Sequence, residues 1–169
     1  MFKNYLLALI ILFSCLTACS PKVASIDSSN GSIDILEKIT NSGFKIISND
    51  PTIFSKKIST NNKDTSVYSM LLQDCRSRNF KNVPSRARQL FAGMNKLKLE
   101  PQENILLGKN KYVKQNASAV INGDSVVLTS YTNKSINCIQ DYVIWTPSIE
   151  QGRSILLQET NRLEKILSS

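Results

Sequence analysis

The amino-acid sequence predicts a single α+β domain: a mostly antiparallel β-sheet covered by helices and tied by one disulfide. Three observations carry this expectation. The apolar period changes along the chain in the order helix, strands, helix, four strands, helix. Asn122-Gly123 separates two β-rich runs, which is a strong hairpin signal. Cys75 and Cys138 are the pair left for the domain once Cys15 and Cys19 are assigned to an export segment.

That segment comes first. A lone cation, Lys3, precedes the apolar run from Tyr5 to Phe13, the layout of a secretory signal peptide. A bilayer-spanning helix needs about 20 apolar residues, and here Pro21 and a polar stretch arrive sooner. Leu16-Thr17-Ala18-Cys19 resembles the lipobox of bacterial lipoproteins. The resemblance implies cleavage before Cys19, a diacylglycerol on its sulfur and acylation of the new N-terminus. Attached chains contribute about 0.8 kcal/mol per buried methylene, so two or three of them hold a protein stably on a membrane. Ser20 in place of an aspartate resembles the pattern exported to the outer membrane. The expected location is therefore the cell envelope, on the outer membrane and facing the periplasm. Residues 1–18 are read as a removed signal, 19–32 as a flexible Ser-rich tether, and 33–169 as the globular domain.

Within the domain, Ile33, Leu36 and Ile39 recur at helical spacing between Ser32, an N-cap residue type, and Gly43, a stop. Residues 44–48 and 53–58 read as strands around the turn Asn49-Asp50-Pro51. Residues 66–73 form a strand apolar on both faces near its centre, which places it inside the sheet and leads to Cys75. Pro84 suits a first helical turn, and Ala87, Leu90, Phe91, Met94 and Leu97 then extend one apolar helical face. Strands are expected at 104–108 and 111–121, a hairpin at Gly123, and a strand over 125–131. A turn at 132–135 leads to a last strand over 136–145, ended by Pro147. An amphipathic helix over 148–167 closes the chain.

An exported chain with one remaining pair of cysteines invites a Cys75–Cys138 bridge, which would tie the first half of the sheet to the second. The formal charge is +8, and it is unevenly spread. Ten basic residues lie between Arg76 and Lys114 against Glu100 and Glu103. Within this run, Arg76, Arg78, Arg86, Arg88, Lys109, Lys111 and Lys114 are the residues expected in any basic contact surface. An ordinary solvated face has the same composition. Anionic headgroups would attract such a surface; nucleic acid would too, but an exported protein does not meet it.

The chain has no histidine, which excludes Ser-His-Asp and Cys-His catalysis and the usual zinc ligand sets. No GxSxG, P-loop or GxGxxG occurs. No catalytic residue, metal or cofactor is therefore expected.

The strand Tyr68 to Cys75, the helix around Ala87-Arg88-Gln89-Leu90-Phe91-Ala92-Gly93-Met94, the long hairpin at Gly123, and Asn137-Cys138 before an aromatic strand and a final helix together resemble small bacterial lipoproteins with a PsbP-like fold. The resemblance spans roughly residues 44–167. It implies a sheet-plus-helices scaffold with a Cys75–Cys138 bridge and transfers no functional residue. The expected function is a membrane-anchored, non-enzymatic binding or scaffold module for a protein partner or an anionic envelope component. The alternatives are a cell-wall hydrolase using carboxylates such as Asp74, Asp141, Glu100 and Glu103, or an outer-membrane assembly factor with an exposed apolar groove.

Overall fold

The structure is a computed structural model describing residues 30–49, 52–60, 63–75, 83–121, 123–134, 138–148 and 152–169. The signal, Cys19, the tether up to residue 29, Arg76, Arg78 and Lys81 lie outside the described residues. The order is α1 (Asn30–Asn41), β1 (Lys45–Asn49), β2 (Thr52–Thr60), β3 (Lys63–Asp74), α2 (Val83–Gln89), β4 (Asn95–Leu99), β5 (Glu103–Leu107), β6 (Asn110–Ile121), β7 (Asp124–Lys134), β8 (Ile139–Pro147) and α3 (Gly152–Ser168). The α+β expectation holds: eight strands make one antiparallel sheet with helices on both faces.

Two meanders meet in the middle of that sheet. Strands β1-β2-β3 follow one another, β8-β7-β6 run back with β4 at the far edge, and β3 pairs with β8 to join them. The outer edge of β6 is shared: β5 pairs with its first half and β4 with its second. The changeover is fixed by Gln115, a buried side chain whose Nε2 donates to the carbonyl of Glu100 at 2.6 Å.

Strand alternation sorts the core into two layers. Phe54, Val67, Leu71, Tyr112, Tyr131, Tyr142 and Ile144 point to one face, where Ile39 of α1 and Ile155, Leu156, Leu163 and Leu167 of α3 cover them. Ile53, Met70, Ala117, Leu128, Val143 and Trp145 point to the other, under Leu90 and Phe91 at the end of α2. Burying each such large side chain contributes about 1.5–3 kcal/mol.

Several expectations change at element ends. Helix α1 starts at Asn30, so Ser32 lies inside its first turn and is not the N-cap. Strand β7 runs on to Lys134, through the residues expected to turn, because Thr132 and Asn133 are buried and paired on both sides. Strand β8 starts at Ile139 and includes Pro147, which sits opposite Val126 at its end.

The largest departure follows α2. The apolar spacing continues to Leu97, but the helix ends at Gln89 and the chain turns at Gly93, with φ +91°, into a strand, β4. Leu90, Phe91, Met94 and Leu97 still enter the same apolar layer. Burial is satisfied by a turn and a strand rather than by two further helical turns. Asn95-Lys96-Leu97-Lys98-Leu99 alternates with period two, the pattern that outweighed the helical spacing.

Candidate functional site

The disulfide lies at the end of the β3–β8 seam. Asp74 and Ile139 are the last residues paired there, and Cys75 and Cys138 continue one step further and are bonded. The Gln73 side chain donates from Nε2 toward both sulfurs, at 3.1 and 3.5 Å. The bridge closes a loop between residues 63 apart in sequence, which the chain-entropy treatment values at about 4 kcal/mol.

Among the described residues of the basic segment, Arg86 and Lys114 lie on opposite faces of the sheet. Arg86, on α2, directs Nε at Asp141 Oδ2 at 3.3 Å; Thr132 donates its hydroxyl to the other oxygen, Oδ1, at 2.8 Å. Asp141 is buried in β8, and that burial raises its carboxyl above the ordinary range despite the Arg86 cation and the Thr132 hydrogen bond. Lys114, on β6, faces the opposite side of the sheet. Its Nζ donates to Glu164 Oε1 of α3 at 2.8 Å, and the Tyr131 hydroxyl donates to the same oxygen at 2.7 Å. Burial opposes the Glu164 charge, but these two hydrogen bonds and the Lys114 cation outweigh it and lower the carboxyl below its usual range.

A third charge cluster sits between α1 and α3. Glu159, buried on α3, accepts from Lys56 of β2 at 3.1 Å and from Arg162 at 3.0 Å, and Lys56 also donates to the Ser42 carbonyl. The cavity beside it, lined by Ile39, Ser42, Phe44, Ser69 and Ile144 among others, is about 10 Å³. That is room for about one water molecule.

Of the expected basic residues, Arg86 and Lys114 are thus held in ion pairs on opposite faces. Arg88 is exposed on α2, and Lys109 and Lys111 are exposed at the β5–β6 hairpin. The four acids weighed for a hydrolase lie in three places, with Asp74 near enough for its charge to act on Asp141. By register Asp74 and Asp141 share the α2 face, Glu103 sits opposite Lys114 on the α3 face, and Glu100 is exposed beyond β4. Among the described residues, no three cysteines or acids form a group that could hold a metal ion, and no helix is long and apolar enough to cross a membrane. Among the described residues, the exposed large apolar side chains are Ile46 and Ile47 on β1, Leu99 on β4, Leu106 on β5 and Leu157 on α3.

Sequence reasoning missed the carboxylate partners of Arg86 and Lys114, because each lies 50 or more residues away. Asp141 carried a signal, being an acid inside the apolar run Ile139 to Trp145.

No family model matches the chain, and no curated protein matches it. Among solved structures, it is similar to PA94, a protein of unknown function from Pseudomonas aeruginosa, with TM-score 0.51 and 15% identity over 68% of this chain and 81% of that one. It is also similar to LpqN, a protein involved in cell envelope biogenesis of Mycobacterium tuberculosis, with TM-score 0.47 and 10% identity over 72% of this chain and 75% of that one. The likeness to PA94, at 15% identity, is one of fold.

Proposed function

We propose that this chain is carried to the cell envelope as a lipoprotein, anchored through lipid on Cys19, and works there as a non-enzymatic binding or scaffold module for a protein partner or an anionic envelope component. The observation that carries the reading is Leu16-Thr17-Ala18-Cys19 directly behind an apolar run. It places the sheet domain a short chain length from a membrane. The PsbP-like resemblance of residues 44–167 supports a scaffold of this kind, and the outer membrane is the location that Ser20 favours. The internal chemistry supports binding over catalysis, since Asp141, Glu159 and Glu164 each hold helix to sheet.

Two measurements test this. The N-terminal peptide of protein extracted from its native membrane should begin at Cys19 with two or three acyl chains, and Cys19→Ser should move the protein to the soluble fraction. An unmodified Cys19 would remove the anchor. Crosslinking in intact cells followed by mass spectrometry should capture the same partner or envelope polymer reproducibly; a chain that crosslinks to nothing would remove the scaffold reading.

A further inference from the structure

The geometry points to the tip of the β5–β6 hairpin as a membrane-docking surface, with Leu106, Lys109 and Lys111 meeting the anionic headgroups of the bilayer that holds the anchor. The inference rests on the lipid-anchored reading above and names which part of the domain touches the membrane.

The chain direction supports it first. Lys56 of β2 touches both Ser42, just beyond the end of α1, and Glu159 in the first half of α3. Lys38, one helical turn back along α1, reaches Ser169 at the end of α3, at 3.1 Å. The two helices therefore run antiparallel, and the start of α1 lies at the end of the domain where α3 finishes. Eight residues separate Asn30 from Lys38, which carries the helix about 12 Å further in that direction. The β5–β6 hairpin belongs to the same end. Gly108, at φ +58°, lies so close to the last residues of α3 that a Cβ there would be 2.6 Å from the Ser168 carbonyl oxygen. The chain that carries Cys19 thus enters at the end occupied by this hairpin. Eleven residues span Cys19 to Asn30, at most about 40 Å when fully extended.

The hairpin has the composition that such a position requires. Leu107 and Asn110 pair across the two-residue turn Gly108-Lys109, and Leu106 pairs with Lys111. Alternation sends Leu107 into the core, where it is 9% exposed, and leaves Leu106 outward at 65%, the most exposed large apolar residue described. Lys109 and Lys111 flank it, both exposed, and in the sheet Lys111 is followed by Lys134 of β7. Asp74 ends β3 two strands beyond Lys134. An apolar side chain set among lysines at a hairpin tip suits a surface with anionic headgroups outside and hydrocarbon beneath.

The test uses the full lipidated protein, purified from membranes and reconstituted into vesicles of phosphatidylcholine alone or of phosphatidylcholine with phosphatidylglycerol. A water-soluble amine reagent is applied, and labelling is read lysine by lysine by mass spectrometry. Lys109 and Lys111 should label about fivefold more slowly on the anionic vesicles, recovering in high salt. Lys57, at the opposite end of the sheet, should label equally on both. Leu106→Ser should restore most of the lost labelling. Equal labelling of Lys109 and Lys111 on both kinds of vesicle, with lipid present on Cys19 in the intact mass, overturns the docking surface and leaves the anchor standing. A Cys19 without lipid overturns both.

Discussion

Each face of the sheet is fastened to a helix by a cation, a carboxylate and a hydroxyl, but the parts are placed the other way round. On the α2 face the acid belongs to the sheet: Asp141, with 2% of its side chain exposed, takes Arg86 from the helix and Thr132 from the neighbouring strand. On the α3 face the acid belongs to the helix: Glu164, 26% exposed, takes Lys114 and Tyr131 from the sheet. Depth then decides the sign of each effect on ionisation. Burial wins at Asp141, whereas the hydrogen bonds win at Glu164. Seven residues of α2 would be marginal without tertiary contacts, so a buried ion pair helps fix that helix in place. Seventeen residues of α3 carry an apolar stripe long enough to hold the helix; it has a buried ion pair of its own, Glu159 with Lys56, and the pair with Lys114 lies nearer water.

The sharpest way to break this comparison is to remove each cation. Arg86→Ala leaves Asp141 buried beside a vacated partner, and the expected loss is about 3–5 kcal/mol. In Lys114→Ala the Glu164 carboxylate keeps the Tyr131 hydroxyl and its contact with water, and the loss should be no more than about 1 kcal/mol. Urea denaturation of the two variants measures both. Equal losses would mean that depth does not distinguish the faces.

Next in size is the hydroxyl of the deeper unit. Thr132→Val keeps the shape of the side chain and removes the donor to Asp141 Oδ1. A hydrogen bond to a buried charged group contributes about 1.5–3 kcal/mol, and the loss in unfolding free energy should fall in that range. A loss of only a few tenths would show that Arg86 satisfies the carboxylate without help.

Acid titration separates the faces by sign. Glu164 ionises more readily folded than unfolded, so its stabilisation is present above its unfolded value of 4.5 and is lost as pH falls below it. Asp141 has the reverse sense. Its folded carboxyl holds the proton more tightly than the unfolded one, at 3.8, so stability from this group declines as pH rises from there through its raised folded value. Unfolding free energies between about pH 3 and 6 should therefore show a flatter acid limb in Glu164→Gln and a steeper one in Asp141→Asn. Slopes that change in the same sense in both variants would contradict the assignment.

How far this was legible in the sequence depends on the range of the interactions. Strands β2, β3, β6 and β8 and helix α3 follow from local periodicity, and Gly123, at φ +90°, marks the hairpin that Asn-Gly announced. The cysteine pair was legible because few cysteines were present to choose from. Strand β4 was hidden because Leu90, Phe91, Met94 and Leu97 fit a helical face and a turn plus a strand equally well; Gly93 was the available breaker. The ion pairs were hidden for a different reason. Arg86 and Lys114 read as members of one basic run, while their carboxylates, 55 and 50 residues away, come near only when β8 and α3 close over opposite faces. Charge counted along a chain says how much there is, and topology decides how much of it reaches solvent. Here that leaves Arg88 exposed on α2, Lys96 and Lys98 on β4, and Lys109 and Lys111 at a hairpin tip.

The smallest expected effect tests whether the α3 unit acts as a unit at all. Tyr131→Phe keeps the buried ring and removes only its hydroxyl, which shares Glu164 Oε1 with Lys114. No buried polar atom of residue 131 is left unpaired, and Glu164 retains contact with water, so the loss should be near the lower limit for a hydrogen bond, about 0.5–1 kcal/mol. Because the two donors meet at one oxygen, removing both in Tyr131→Phe with Lys114→Met should not equal the sum of the single losses. Either donor alone can hold the carboxylate in place, so the pair should cost more than the two singles together. Strict additivity in a double-mutant cycle would mean that Lys114 and Tyr131 act on Glu164 independently. The two contacts to Glu164 would then be separate small additions to what the apolar stripe and the Glu159–Lys56 pair supply.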